Sequence, residues 1–465
     1  MDLKKYHLAE GPEIISQELP GERGKVLLDE QENYESNNRA YPRSIPLVPH
    51  KAKGSIVEDV DGNRFLDFFS FCGVLNVGHG NQDVVQEVEK QLHQLTHALD
   101  FPTEVKIDFM KNMNSHLPEA MQGNFKINFC GPTGADAVEA AMKLARLNTK
   151  RNLVIAFQGA FHGMTQGALS VTSNTKNRQG LPVLNNATHF VPFCYPYRLP
   201  EGTSSVVYAK HIRDIIENPK SGVDKPAAIL LESVQAEAGN IVPTREFVQE
   251  IRKICDDHGI MMICDEVQAG FYRTGKLFAF EHFDVIPDMV TMSKGVGGIG
   301  LPLSLLLVNK EYDVWDAGTH SGTFRGHQPG IAAGNAALNF IRKSNLTEHI
   351  FNMGVLLRSG LERIQQGSKF IGDVRGLGLL IGVEYVKSKD DKIPFPEICT
   401  KLKNQLFRNG VLVEIGGHYN NVIRILPPLV TTEAMIHTFL EIYERLNNEV
   451  SQSYFEEEPE MAMEA

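Results

Sequence analysis

An α/β fold with a mostly parallel sheet is predicted by three features of the sequence. Short, nearly unbroken apolar runs recur along the middle of the chain: NLVIAF, AAILLES, GIMMICDEV and DMVTMSK. Such runs suit parallel strands buried on both faces. Helical stretches such as REFVQEIRKICDDHG separate them, which is the alternation of an α/β core. At 465 residues the chain is also long enough for two domains.

Taken in order, residues 1–45 read as polar and irregular, broken by EGPE, LPGERG and EQENYESNNRAYP. GSIVEDVDGNRFLDF has strand–turn–strand character, with DGN supplying the turn. FKINFC is the strand that opens the central region, and GIAAGNAALNFIRKSN is a helix leading out of it. Beyond about residue 345 come a helix, HIFNMGVLLRSGLERIQQ, a strand, VRGLGLLIGVEYV, and a later strand, NNVIRILPPLV. The expected division is an N-terminal segment 1–75 contributing to a small domain, a large domain 76–340, a C-terminal small domain 341–450 and an acidic tail 451–465. The tail, SYFEEEPEMAMEA, is expected to be a solvated, irregular end.

Composition excludes several classes of function. With 42% apolar and 22% charged residues, the chain is expected to be soluble and globular. A formal charge of -11 argues against a nucleic-acid partner. The start MDLKKYHLAEGPE lacks an apolar h-region, and the run around Leu301–Val308 is too short to span a bilayer. Neither a signal peptide nor a membrane partner is therefore expected. Six cysteines without a CxxC pair fit reduced thiols in a cytoplasmic protein. Cys255 and His258 are three apart, yet nothing nearby completes a ligand set, so no metal is expected.

The stretch FCGPTGADAVEAAMKLAR, Phe129–Arg146, reads as a turn running into a helix. Val138, Ala141, Met142 and Ala145 form one apolar face. The unpaired N–H groups of the first turn make an anion site, with Gly134 allowing close approach and Thr133 adding a hydroxyl. No Gly-Lys-Ser/Thr follows, which disfavours a nucleotide P-loop. Farther on, GIMMICDEVQAGFYRTG places Asp265 and Glu266 at the C-terminal end of a buried strand, where open α/β sheets bind ligands. Adjacent strand residues point to opposite faces, so one acid alone can meet a given ligand. DMVTMSKGVGGIGLPL puts Lys294 at the end of another strand, before a glycine-rich turn that allows a ligand close. A phosphate cradle, a buried acid and a sheltered lysine together point to pyridoxal phosphate.

With ICDEVQAGFYRTG followed by MSKG at Lys294, the sequence resembles the class III pyridoxal-phosphate aminotransferases, the ω-aminotransferase group, over nearly its whole length. The resemblance implies fold type I: a large domain with a mostly parallel seven-stranded sheet and a small α+β domain built from both chain ends. It also implies a homodimer with active sites at the interface. Lys294 corresponds to the Schiff-base lysine and Asp265 to the partner of the pyridine nitrogen; both are the expected catalytic residues. Thr133, Gly134 and Ala135 match the phosphate-binding turn, and Phe161, in FHG, matches the aromatic that stacks on the cofactor. His162 and Glu232 belong to the same cofactor set, Glu232 as a structural acid. Val267 is expected against the opposite ring face, Gln268 at the ring hydroxyl, and Thr323, in HSGTFRGHQ, at the neighbouring subunit's phosphate. Arg424, in NNVIRILPP, resembles the arginine that receives the carboxylate of a 2-oxo acid, a planar anion suited to a guanidinium. Glu237 resembles its counterion when no carboxylate is present.

Within the family, FCGPTGADAVEAAMKLAR is most similar to the diaminobutyrate–2-oxoglutarate aminotransferases. These interconvert L-2,4-diaminobutyrate and aspartate semialdehyde in a ping-pong exchange with 2-oxoglutarate. The 4-aminobutyrate enzymes usually carry an arginine after FHG as a carboxylate clamp, whereas this chain has Met164. Lys176 and Arg178 are candidate replacements, and Ser70–Asn76, SFCGVLN, is a candidate pocket lining. Alternatives kept open are another ω-amine donor, a 4-aminobutyrate- or ornithine-type enzyme, an aminomutase, a decarboxylating relative, and a cofactor-binding protein without turnover.

Overall fold

Apolar runs of the central region lie side by side in one seven-stranded sheet of a computed structural model, which describes residues 2–181 and 187–461. Strand order is Phe125–Phe129, Leu305–Asn309, Met289–Met292, Met261–Asp265, Ala228–Glu232, Val154–Phe157 and Thr188–Val191. From Met289–Met292 onward every neighbouring pair is parallel. Leu305–Asn309 runs antiparallel to both of its neighbours. Every residue of Val154–Phe157, Ala228–Glu232, Met261–Asp265 and Met289–Met292 is buried, as strands covered on both faces require. Two strands had no counterpart among the expected ones. Leu305–Asn309 sits in a run read only for its length, and Thr188–Val191, THFV, has too little apolar character to stand out.

Helix Gly134–Thr149 packs on this sheet through Val138, Ala141, Met142 and Ala145, which are buried against Leu230, Ile263 and Leu306. Thr133 caps the helix by accepting a hydrogen bond from Asp136 N on its side chain.

The chain divides into two compact units. One comprises Met1–Gly73, Val77–Gln82 and Glu348–Ala465; the other comprises Val74–Asn76 and Asp83–Thr347 and holds the seven-stranded sheet. The first unit has two four-stranded sheets. Pro49–Lys53, Ile56–Asp59, Arg64–Asp67 and Val411–Leu412 make one; Ile371–Leu377, Leu380–Tyr385, Val422–Ile425 and Glu414–Gly416 make the other.

Three expectations for this first unit need correction. Residues 1–45 are not irregular throughout, because Glu22–Tyr34 is a helix. Its exposed N–H groups are capped from a distant loop: Asp61 accepts from Arg23 N and Gly24 N, each at 2.9 Å. No local pattern announces such a cap. VRGLGLLIGVEYV is a hairpin rather than one strand, since Gly376 and Gly378, with φ of 139° and 55°, reverse the chain between Ile371–Leu377 and Leu380–Tyr385. The tail is helical as far as Met461, continuing Glu433–Met461, and residues 462–465 lie outside the described residues.

After Arg64–Asp67 the chain makes a left-handed turn. Ser70, Phe71, Cys72 and Gly73 have φ of 49°, 42°, 66° and 78°. Left-handed backbone costs roughly 1–2 kcal/mol for each residue with a Cβ, so neighbours must hold it. Asp67 does so: one carboxylate oxygen accepts from Ser70 N at 2.6 Å and Phe69 N at 3.1 Å, and the other lies 2.7 Å from His79 Nε2. The His79 ring in turn meets Phe71 edge-on at 5.0 Å.

Candidate active site

Strands Ala228–Glu232 and Met261–Asp265 are parallel and in register, so Glu232 and Asp265 end side by side at the carboxyl edge of the sheet. There they line a cavity of about 130 Å³ with Gly134, Ala135, Phe161, His162, Gly163, Glu237, Val267, Gln268 and Lys294. Glu266 points the opposite way, where its carboxylate accepts from Ala279 N at 2.9 Å and Phe280 N at 3.0 Å. The alternation of a strand thus delivers one acid to the cavity and one to the core behind it.

Asp265 is held from two directions. Its Oδ1 accepts from Val267 N at 3.0 Å and Thr291 Oγ1 at 3.1 Å, and its Oδ2 lies 2.6 Å from His162 Nδ1. The second oxygen keeps a lone pair for a donor in the cavity. Glu232 accepts from Phe161 N at 3.0 Å and Ala236 N at 3.1 Å. Burial pushes its carboxyl up to about 7; nearby His162 opposes the rise and the Asp265 charge adds to it. Burial also raises Glu266 to about 7, against its hydrogen bonds from Ser233, Ala279 and Phe280. Burial thus favours the proton-bearing form of Glu232, which eases the placing of two acids side by side at the strand ends.

The cavity wall opposite is the start of helix Gly134–Thr149. A Cβ on Gly134 would sit 2.9 Å from Val267 Cγ1, so glycine alone fits there. Gly163 lies equally close to Ala135: a Cβ would come within 2.7 Å of its Cβ. Glu139, from the same helix, accepts from Thr165 Oγ1 at 2.8 Å and Gly167 N at 2.8 Å, fixing the loop that follows Phe161 and His162. Lys294 follows Met289–Met292 and takes a left-handed conformation with φ of 47°.

Other candidate residues lie elsewhere. Thr133 is exposed and its hydroxyl caps the helix, with Asp136 N at 3.4 Å. Met164 is exposed, and Lys176 and Arg178 line a separate depression with Thr175 and Gln179. Thr323 is exposed at the start of the turn Thr323–Gly326, and its carbonyl lies 2.8 Å from His97 Nε2. Arg424 is buried in the other unit, on Val422–Ile425, in register with Gly382 and Glu414. Cys255 is buried, and His258 Nε2 lies 3.1 Å from Glu217. Among the described residues no group of three or more His, Cys, Asp or Glu side chains could hold a metal ion.

Sequence reasoning missed Thr291, Glu139 and Gly163. A threonine inside the apolar run DMVTMSK was the one local signal, since a buried hydroxyl needs a partner.

The decisive comparison is with the model of the aminotransferase class-III family, which matches residues 38–446. The chain belongs to this family. It is a pyridoxal-phosphate-dependent aminotransferase, acting on a small-molecule amine donor and an oxo acceptor. A diaminobutyrate–2-oxoglutarate aminotransferase of Rhizobium meliloti is 40% identical over 88% of this chain and 89% of that protein. One from Haemophilus influenzae is 39% identical over 90% and 94%. Among solved structures, a transaminase from the marine bacterium Virgibacillus is 25% identical, with a TM-score of 0.84 over 92% of this chain and all (100%) of that one. A Bacillus anthracis aminotransferase is 27% identical, with a TM-score of 0.82 over 92% and 99%.

The aminotransferase's cavity fits the cofactor of its family. A helix start without side-chain bulk at Gly134 suits a phosphate, a carboxylate with a spare lone pair suits a protonated ring nitrogen, and a lysine faces the same space. No helix among the described residues is long and apolar enough to cross a membrane.

Proposed function

We propose that the enzyme moves the terminal amine of L-2,4-diaminobutyrate to 2-oxoglutarate, yielding aspartate semialdehyde and glutamate in a reversible ping-pong exchange. The observation that carries the donor is the run of relatives named for this reaction, 35–40% identical over about nine-tenths of the chain. Pyridoxal phosphate supplies an aldehyde that takes up the amine and a ring that absorbs the electron pair left at the reacting carbon. Lys294 would anchor the cofactor through its Nζ, and the same amine is the base placed to move a proton at the substrate's reacting carbon. Asp265, steadied by His162 and Thr291, keeps the ring nitrogen protonated. Amide groups of Gly134 and Ala135 hold the phosphate, and Phe161 and Val267 enclose the ring. Gln268 would meet the ring hydroxyl, and Glu232 supports the floor, its burial favouring the protonated form. Arg424 and Glu237 keep the substrate roles that the family resemblance implies.

The same proposal includes a cytoplasmic homodimer in which Thr323 serves the neighbouring subunit. Leu92, Leu95, Leu99, Phe101 and Phe324 are exposed in one unit. The first four run from the last turn of helix Gln82–Gln94 into the loop after it, and that loop is tied to the turn of Phe324 by Ala98 N donating to Gly326 O at 3.1 Å. Large exposed apolar patches mark interaction sites, and a second copy is the occupant the family favours. All six cysteines are free thiols, in keeping with a reducing compartment.

The test is the visible spectrum of the purified holoenzyme on adding L-2,4-diaminobutyrate without any 2-oxo acid, beside ornithine and 4-aminobutyrate. Bleaching by diaminobutyrate alone, reversed by 2-oxoglutarate, is expected. A spectrum unmoved by diaminobutyrate and altered by either of the others would overturn the donor and leave the cofactor assignment standing.

A further inference from the structure

Val74–Asn76 belong to the unit that holds the cavity, although the chain on either side of them belongs to the other unit. Asn76 ends this brief excursion, buried together with Arg273. Its Nδ2 donates to Phe271 O at 2.7 Å, and its Oδ1 accepts from Arg273 Nη2 at 2.6 Å. A side-chain amide carries its donor and its acceptor on separate atoms, so it serves both partners at once.

Both segments touching Asn76 are strained. Phe271 and Tyr272 have φ of 50° and 68°, and Lys294 has φ of 47°. Such backbone persists only where its surroundings over-determine it. On one side of Lys294, Ser293 Oγ donates to Leu303 O at 3.0 Å and Val296 N to Ser293 O at 3.1 Å. On the other side is Gly295, where a Cβ would fall 2.6 Å from Asn76 Cγ. Asn76 therefore abuts the peptide that immediately follows Lys294.

We propose that Asn76 is a positioning residue for Lys294: bonded to Phe271 and Arg273, its amide braces the backbone at Gly295 and holds Lys294 in the left-handed conformation that presents its amine to the cavity. This rests on Lys294 being the cofactor-bearing lysine. The brace acts on one step. In that step the Lys294 amine would add to the aldehyde carbon of pyridoxal phosphate, a C=N bond replacing C=O, with the oxygen leaving as water together with the two amine hydrogens. Pyridoxamine phosphate fills the same cradle without that bond.

The experiment compares the dissociation constants of pyridoxal phosphate and pyridoxamine phosphate for full-length protein stripped of cofactor. Asn76→Ala is expected to weaken pyridoxal phosphate by about tenfold or more, near 1.4 kcal/mol, while pyridoxamine phosphate stays within about twofold. Gly295→Ala, which pushes on the same contact from the other side, should give the same split. Parallel weakening of both ligands, or no change in either, would overturn the proposal. Should Asn76→Ala not fold, Asn76→Asp keeps an acceptor for Arg273 and sets a carboxylate oxygen against Phe271 O in place of the donor, and it is read by the same criterion. Lys294→Ala serves as the separate check. If it binds pyridoxal phosphate as tightly as wild type, the assignment of Lys294 fails, whatever Asn76 does.

Discussion

Two buried aspartate–histidine pairs, one in each unit, use the same chemistry for different ends. His162 Nδ1 lies 2.6 Å from Asp265 Oδ2, and His79 Nε2 lies 2.7 Å from Asp67 Oδ2. Asp67 spends its other oxygen on Phe69 N and Ser70 N, so its whole carboxylate is devoted to a strained turn. Asp265 also satisfies one oxygen, from Val267 N and Thr291, but the residue lines a cavity. The pairs differ in what lies beyond the second oxygen rather than in the bond itself. A buried Asp–His contact is thus no sign of catalysis until its free lone pair is found.

Removing charge from each pair should therefore break different things. Asp265→Asn is expected to lower kcat/KM by roughly 10²–10³-fold and to shift the melting temperature little, as steady-state kinetics and calorimetry would show. A variant that lost stability instead would make Asp265 a second Asp67. Asp67→Ala should do the reverse. Loss of an acceptor for two buried N–H groups and of the histidine contact costs on the order of 3 kcal/mol in denaturant unfolding. The holoenzyme spectrum should be unchanged.

Glu266 sharpens the contrast, because it is a buried acid with no histidine. Its carboxyl stands at about 7 against an ordinary 4.5. The folded chain therefore holds this proton more tightly than the unfolded chain. The resulting stabilisation is complete below about pH 4.5 and is lost as pH rises through about 7. Glu232 contributes with the same sign. In Glu266→Gln, unfolding free energy between about pH 5 and about pH 8 should fall less steeply than in wild type, with kcat unaltered. An unchanged slope would show that Glu266 is already ionised in the folded protein. The smallest effect belongs to Thr291→Val, which deprives Asp265 of one neutral donor. Cofactor affinity should drop by about two- to tenfold, measured by equilibrium dialysis.

Much of the frame is legible without coordinates. Strands such as AAILLES and GIMMICDEV announce themselves because both faces are covered, leaving no polar residue to interrupt the run. The same logic separates Asp265 from Glu266, since neighbouring strand residues must diverge. Illegible features depend on partners far away in sequence. Helix Glu22–Tyr34 buries only Gly24 and takes its cap from Asp61, so it has neither an apolar stripe nor a local start signal. His162 meets Asp265 across 103 positions, and Asn76 meets Arg273 across 197. In VRGLGLLIGVEYV the glycines were visible but sat within an apolar run long enough to pass for one strand.

The antiparallel strand in an otherwise parallel sheet has a consequence for how the chain matures. Phe125–Phe129 leads directly into the turn at Gly134, and its paired neighbour in the sheet is Leu305–Asn309. During synthesis that neighbour emerges only after the intervening strands and helices have left the ribosome. Until then Phe125–Phe129 has no strand partner in the sheet, and an unpaired strand is the kind of surface that pairs with other chains. Closing so long a loop is slow. Nascent chains halted before residue 309 should therefore be the species most in need of a chaperone, and cofactor supplied to them should find no finished cradle.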